Sequence, residues 1–150
     1  MKRTRKRMIF CIVLTAAVLA FIWGNSMATG EESGAMSGRI MAWINTFMHF
    51  ENAETLHLVI RKMAHFTEFA CLGALLYWVF SMAGKKEGRL LVMSLLCGMA
   101  VACVDETIQL FTPDRGPSLI DVGIDTAGVA AGMMLLLIGH NYIRNKQNTE

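Results

Sequence analysis

Four apolar runs, Met8 to Trp23, Met63 to Met82, Leu90 to Val104 and Val122 to Ile138, divide this chain into pieces of membrane length. A bilayer hydrocarbon core about 30 Å thick requires roughly 20 helical residues to cross it. Inside that core every backbone N–H and C=O must find its partner within the protein, which leaves helices and closed barrels as the spanning structures. Runs this long and continuous are helical. Composition agrees: 54% of residues are hydrophobic and 17% charged, unlike an ordinary soluble domain of this size. With flanking residues counted, the spans fall at about 8–26, 61–82, 90–109 and 121–140, leaving an outer loop at 24–60. The first and third reach span length only with those flanks. The expected fold is therefore a single all-α membrane domain, a bundle of four transmembrane helices with an extra amphipathic interfacial helix in the first outer loop.

Basic residues orient such a bundle, because Lys and Arg are retained on the cytoplasmic side. Lys2, Arg3, Arg5, Lys6 and Arg7 put the N-terminus inside. Four crossings then bring Lys85, Lys86 and Arg89 into a cytoplasmic turn and Arg144 and Lys146 onto a cytoplasmic tail. Only Arg39, Arg61, Lys62 and Arg115 fall outside. The small net charge of +2 is a topology signal and gives no indication of nucleic acid binding. A basic start, an apolar stretch and the small residues Ser26 and Ala28 also fit a cleavable signal peptide. The apolar stretch is long for one, and its removal would leave an odd number of spans, so a retained first helix is expected.

Cys11, Cys71, Cys97 and Cys103 all lie in apolar runs without metal-binding spacing, and read as small membrane hydrophobes. In the outer loop, Gly30, Glu31, Glu32, Ser33 and Gly34 read as a flexible linker. Ser37 then reads as the cap of a helix whose Ile40, Trp43, Ile44, Phe47 and Met48 share one face, with Arg39, Asn45, Thr46 and His49 elsewhere. Such a helix lies along the membrane surface or packs over the bundle mouth. Asn52 caps a long helix over Ala53 to Met82, about 45 Å in length, whose first turns stand outside the membrane.

Ionisable residues at membrane depth are costly and usually mark function. Arg61, His65 and Glu68 share a helix face by their spacing of four and three. Asp105 and Gln109 share another, with Glu106 beside them. After the turn from Phe111 to Pro117, which carries Arg115, Ser118 caps the last helix, Asp121 sits at its N-terminal end and Asp125 lies one turn deeper. At 1.5 Å per residue Glu68 lies about 10 Å below Arg61, and Asp125 about 6 Å below Asp121. Three helices thus deliver carboxylates to a similar level. Gly128 and Gly132 form a GxxxG pair suited to close helix approach.

The stretch Arg61-Lys62-Met63-Ala64-His65-Phe66-Thr67-Glu68-Phe69, then Asp105-Glu106-Thr107-Ile108-Gln109-Leu110-Phe111, then Pro113 to Val122, resembles the VanZ-like family. Gly128, Gly132 and the serines Ser26, Ser33 and Ser37 extend the resemblance over residues 8 to 140. It implies a small multi-pass protein of the bacterial cytoplasmic membrane, from a family named for association with resistance to the glycopeptide teicoplanin. Resistance is a phenotype and names no reaction. Where the family usually has Asn in its fourth helix, this chain has Asp125.

Glu68, Asp105, Glu106, Asp121 and Asp125 face three fixed cations, Arg61, Lys62 and Arg115, with His65 as a potential fourth. One reading makes this cluster a structural clamp that holds the bundle together. The other makes it an outward-facing pocket for a membrane lipid, a lipid-linked or peptidoglycan-linked envelope molecule, or a glycopeptide. In that pocket Arg61, Glu106, Gln109, Arg115, Ser118, Asp121 and Asp125 bind, the arginines on phosphate or carboxylate. If bonds are broken, as in a hydrolase or transferase, His65 is the acid or base, oriented by Glu68 or Asp105. No cofactor is expected. His65, Glu68, Asp105 and Glu106 offer zinc or manganese donors, but in none of the standard zinc-enzyme spacings. Proton-coupled transport through Glu68 or Asp125 is opposed by the apolar inner half of the bundle.

Overall fold

The computed structural model describes residues 2–46, 53–84 and 86–147, and they form five helices: α1 (Lys2–Met27), α2 (Gly30–Asn45), α3 (Ala53–Met82), α4 (Glu87–Leu110) and α5 (Leu119–Gln147). Four are long and apolar enough to cross a membrane, over Arg5–Met27, Thr55–Met82, Glu87–Leu110 and Leu119–Gln147. The runs that seemed marginal are adequate because each helix continues through its polar flanks. A charged side chain beyond the hydrocarbon edge carries no penalty for being helical, so α1 and α4 extend by several residues past their apolar runs. α3 has the bounds expected for it; its proposed cap Asn52, and also Phe47, Met48, His49 and Lys85, lie outside the described residues.

α3 is the spine of the bundle, packed most extensively against α5 and also touching α1, α2 and α4. Glycine makes the α3–α5 contact intimate. A Cβ added at Gly132 would sit 1.8 Å from the Ala70 carbonyl oxygen, one at Gly128 2.5 Å from that of Phe66, and one at Gly73 2.2 Å from that of Val129. The two backbones therefore touch, as small residues allow where helices meet in lipid. α4 buries Leu90, Ser94, Gly98, Ala102, Asp105, Glu106 and Gln109, a stripe that is small in its middle and polar at one end. Its outward residues, among them Val92, Leu96, Val104 and Leu110, are exposed and apolar. Apolar groups outside and small or polar groups inside is the arrangement lipid solvation favours. The missing contrast in hydrophobicity between the two faces is why the small part of this stripe, Ser94, Gly98 and Ala102, is not legible in the sequence.

Ile22, Phe69, Leu72, Ala102 and Val129 form the main buried apolar cluster, and Tyr77, Leu90 and Met133 a second one toward the other end. At that second end the start of α1 meets Trp78, and the end of α5 meets Ser81 and Glu87, so the basic residues gather there. Gly84, at φ 71°, supplies the left-handed turn between α3 and α4. Asp114, at φ 58°, does so in the α4–α5 hairpin, a conformation that Asp tolerates better than most residues.

The outer loop corrects two expectations. Gly30 to Gly34 is the first part of α2 and not a flexible linker, and Ser37 is inside the helix and not its cap. Thr29 is the cap: its Oγ1 accepts from the Glu32 N–H at 3.2 Å, while Glu32 Oε2 accepts from the Thr29 N–H at 2.9 Å. This reciprocal capping box satisfies two end groups and outweighs the glycines at 30 and 34. The Gly30 N–H also donates to the Pro113 carbonyl at 3.2 Å, tying the start of α2 to the α4–α5 turn. Buried Ser37 has its Oγ 2.9 Å from His57 Nδ1 of α3. α2 packs against α3, and its Ser33, Met36, Ser37 and Ile40 wall a cavity there.

Candidate functional site

Asp105 is the hub of the polar end. The 3.6-residue period that turns Gly98 and Ala102 inward also turns Asp105 and Gln109 inward, and Asp105 is fully buried. A buried carboxylate is tolerated only with hydrogen bonds. Asp105 receives one from Ser26 Oγ to Oδ1 at 2.7 Å and one from Gln109 Nε2 to Oδ2 at 2.9 Å. The first crosses from α1 to α4 and the second runs along α4. Thr112 Oγ1 adds a bond to the Ser26 carbonyl at 3.0 Å, closing the α1 end onto the hairpin. His65 Nδ1 on α3 lies 3.9 Å from Asp105 Oδ2, within ion-pair range and beyond hydrogen-bond range.

Asn25 organises the opposite wall. Its Nδ2 donates to Glu68 Oε1 at 2.8 Å, and its carbonyl accepts from Arg115 NH2 at 3.2 Å. Glu68 is thereby bonded to α1, and it is Asp105 that stands closest to His65 Nδ1. Arg115 is half-buried, and burial together with the nearby Arg61 guanidinium pulls it below its ordinary pKa, though an arginine remains charged. Its Nε and NH1, and the Nε of Arg61, are buried without hydrogen-bond partners among the described residues.

The third wall is the start of α5. Glu106 Oε2 accepts from the Ser118 N–H at 2.7 Å, which satisfies one free donor at the helix N-terminus. The Ser118 carbonyl accepts from the Asp121 and Val122 N–H groups. Lys62 of α3 pairs with Asp121, both partly exposed. Asp125 is buried one turn deeper, and its Oδ1 has no hydrogen-bond partner.

Two cavities of about 90 Å³ each open between these walls. One is lined by Arg61, Lys62, His65, Glu106, Gln109, Asp121 and Asp125, and the other by Asn25, Ser37, Arg61, His65, Glu68 and Arg115 among others. Arg61 and His65 belong to both. All the sequence-predicted residues except Ser118 and Asp105 line one of them. Ser118 contributes its backbone to Glu106, and Asp105 lies behind His65, Ser26 and Gln109.

Residues 10–140, all but the two ends of the chain, match the sequence family described as VanZ/LLP1. The chain belongs to this family. No curated protein and no solved structure matches it.

In this VanZ/LLP1 protein the sequence reading missed Asn25 as a contact and Ser26 and Thr112 as partners of the hub. In the sequence Asn25 and Ser26 read as flanks that bring the first apolar run to span length. Two adjacent polar residues at the end of a span are themselves a signal, since the helix there must satisfy them against another helix. Expectation also put the imidazole and carboxylate donors of His65, Glu68, Asp105 and Glu106 together. The donor atoms that converge are instead those of His65, Asp105 and Asp125, all within 4.8 Å of one another. At an effective dielectric of about 20, two carboxylate charges at that separation repel by roughly 3.5 kcal/mol. Lys62 pairs with Asp121, and among the described residues no Lys or Arg forms an ion pair with Asp105 or Asp125.

Proposed function

We propose that this membrane protein binds the anionic headgroup of a cell-envelope lipid, or of a lipid-linked or peptidoglycan-linked envelope molecule, at the outer face of the bacterial cytoplasmic membrane, and that it contributes in this way to glycopeptide resistance of the teicoplanin type. The observation that carries this reading is the set of unpartnered guanidinium nitrogens, Arg61 Nε with Arg115 Nε and NH1, beside small cavities. Planar guanidinium donors suit phosphate and carboxylate oxygens. Cavity size narrows the occupant. Pockets that enclose drug-sized molecules measure about 300–1,000 Å³, so about 90 Å³ admits one anionic group and leaves the rest of a lipid or a glycopeptide outside. The outward orientation rests on the basic residues gathered at the opposite end, which favour the cytoplasmic side. If the headgroup is also modified, His65, common to both cavities, is the group placed to move a proton.

A second reading is supported by the bonds already made. Ser26 to Asp105, Asn25 to Glu68, Lys62 to Asp121 and Glu106 to Ser118 each link different segments, as a structural clamp requires. Proton transport has less support, because Tyr77, Leu90 and Met133 close the other half of the bundle with apolar packing. The two leading readings separate in one experiment. Arg115→Ala and Arg61→Ala are scored for teicoplanin susceptibility of the host and for membrane abundance of the protein. Loss of resistance at unchanged abundance supports headgroup binding, whereas resistance that tracks abundance supports the clamp and removes the pocket.

A further inference from the structure

The convergence of His65, Asp105 and Asp125 goes beyond headgroup recognition. Three donor atoms from three different helices lie within 4.8 Å of one another, one imidazole nitrogen and two carboxylate oxygens. Three features make this more than a chance grouping of acids. Asp125 is 1% exposed, lines a cavity and has an oxygen without a hydrogen-bond partner. His65 Nδ1 is likewise buried and unpartnered, and it faces Asp105. Asp105 is held in orientation by Ser26 on one oxygen and by Gln109 on the other, as outer hydrogen bonds hold the carboxylates of metal sites.

We propose that His65, Asp105 and Asp125 together bind one divalent transition-metal ion, zinc or manganese, between α3, α4 and α5. Such an ion compensates the two carboxylates, which no Lys or Arg pairs with among the described residues. Imidazole with carboxylates suits these metals. Magnesium is disfavoured by the nitrogen donor and by its need for near-octahedral oxygen ligands. Three protein ligands leave at least one coordination position for water or an anionic oxygen. Zinc–nitrogen and zinc–oxygen distances of about 2.0–2.2 Å set tetrahedral donors about 3.4 Å apart, so these donor atoms, within 4.8 Å of one another, draw together by up to about 1.4 Å on binding. His65 Nδ1 and Asp125 Oδ1 have no hydrogen-bond partner, and rotation of these two side chains supplies that movement.

The test uses the full-length protein in mild detergent, stripped with chelator and titrated separately with Zn²⁺, Mn²⁺ and Mg²⁺ by calorimetry, with bound metal counted by elemental analysis. The expected result is one Zn²⁺ or Mn²⁺ per chain and no stoichiometric Mg²⁺. Asp125→Asn, which keeps the shape of the side chain, abolishes stoichiometric binding. His65→Gln does the same, and provides a second route if either variant loses helicity or disperses on gel filtration. Gln109→Ala, which only releases the orientation of Asp105, weakens binding by about tenfold, and Glu87→Gln at the far end of the bundle leaves it unchanged. Absence of stoichiometric Zn²⁺ and Mn²⁺ in the wild type overturns the site. So does binding that persists in well-folded Asp125→Asn or His65→Gln.

Discussion

Adding one methyl group at Gly132 separates the two helices that carry most of the polar site. The new Cβ would lie 1.8 Å from the Ala70 carbonyl oxygen, about 1.6 Å short of the 3.4 Å at which ordinary contact begins. The obstacle is backbone, so no rotamer change relieves it, and α5 must move away from α3. Overpacking of this kind costs about 1–3 kcal/mol, and a rigid carbonyl places Gly132→Ala near the upper end. Ala is also a better helix former than Gly by about 0.8–1 kcal/mol, which offsets part of the cost. Gly139→Ala isolates that offset. It lies two turns along the same face of α5, and a Cβ there meets nothing within 4 Å. The contrast between the two variants is therefore about 3 kcal/mol, or roughly 6–12 °C in the melting temperature of the detergent-solubilised protein if the sensitivity of soluble domains of this size applies. Since α3 carries His65 and α5 carries Asp125, Gly132→Ala also draws these groups apart. Melting temperatures for the two variants within a degree of each other would refute the backbone contact between α3 and α5.

Other consequences follow from the polar end. Asp105→Ala leaves the Ser26 and Gln109 donors buried without acceptors, at roughly 1–3 kcal/mol each, and a chemical or thermal unfolding series should show it. Lys62→Ala removes a pair whose side chains are 42% and 27% exposed, so the same series should show less than about 1 kcal/mol. Thr29→Ala breaks the capping box and costs about 1 kcal/mol confined to α2, read as about fivefold faster hydrogen exchange in its first turn with α4 and α5 unchanged. In a cysteine-free background, Gly116→Cys should react with an impermeant thiol reagent added outside intact cells and Gly88→Cys only after permeabilisation; the reverse pattern contradicts the proposed orientation.

Apolar runs were sufficient to show four spans, because lipid leaves a long hydrophobic segment few alternatives. Helical period likewise placed Arg61, His65 and Glu68 on one face of α3, and Asp105 with Gln109 on one face of α4. What period cannot supply is the partner across a helix interface. Glu68 proved to be bonded to Asn25 on α1, and Asp125 joined His65 and Asp105 in place of Glu68 and Glu106. Both outcomes depend on helix rotation and depth, which for α5 against α3 are set by the close contacts of Gly73, Gly128 and Gly132. The start of α2 was hidden for a local reason: its glycines suggested a linker, and the Thr29 and Glu32 reciprocal cap four positions wide was the signal that overrode them. Ser94, Gly98 and Ala102 were hidden because a small-residue face in lipid shows no drop in hydrophobicity.

Retention of a phosphate-bearing lipid by the purified protein tests headgroup binding most directly. Native mass spectrometry after delipidation, with phosphatidic acid and phosphatidylcholine added in equal amounts, compares a terminal phosphate with a choline-capped one. The expected result is one phosphatidic acid retained by the wild type under collision energies that strip phosphatidylcholine, with the preference lost in the Arg61→Ala, Arg115→Ala double variant. Equal retention of the two lipids by the wild type, or an undiminished preference in the double variant, would contradict recognition of an anionic headgroup by these two arginines.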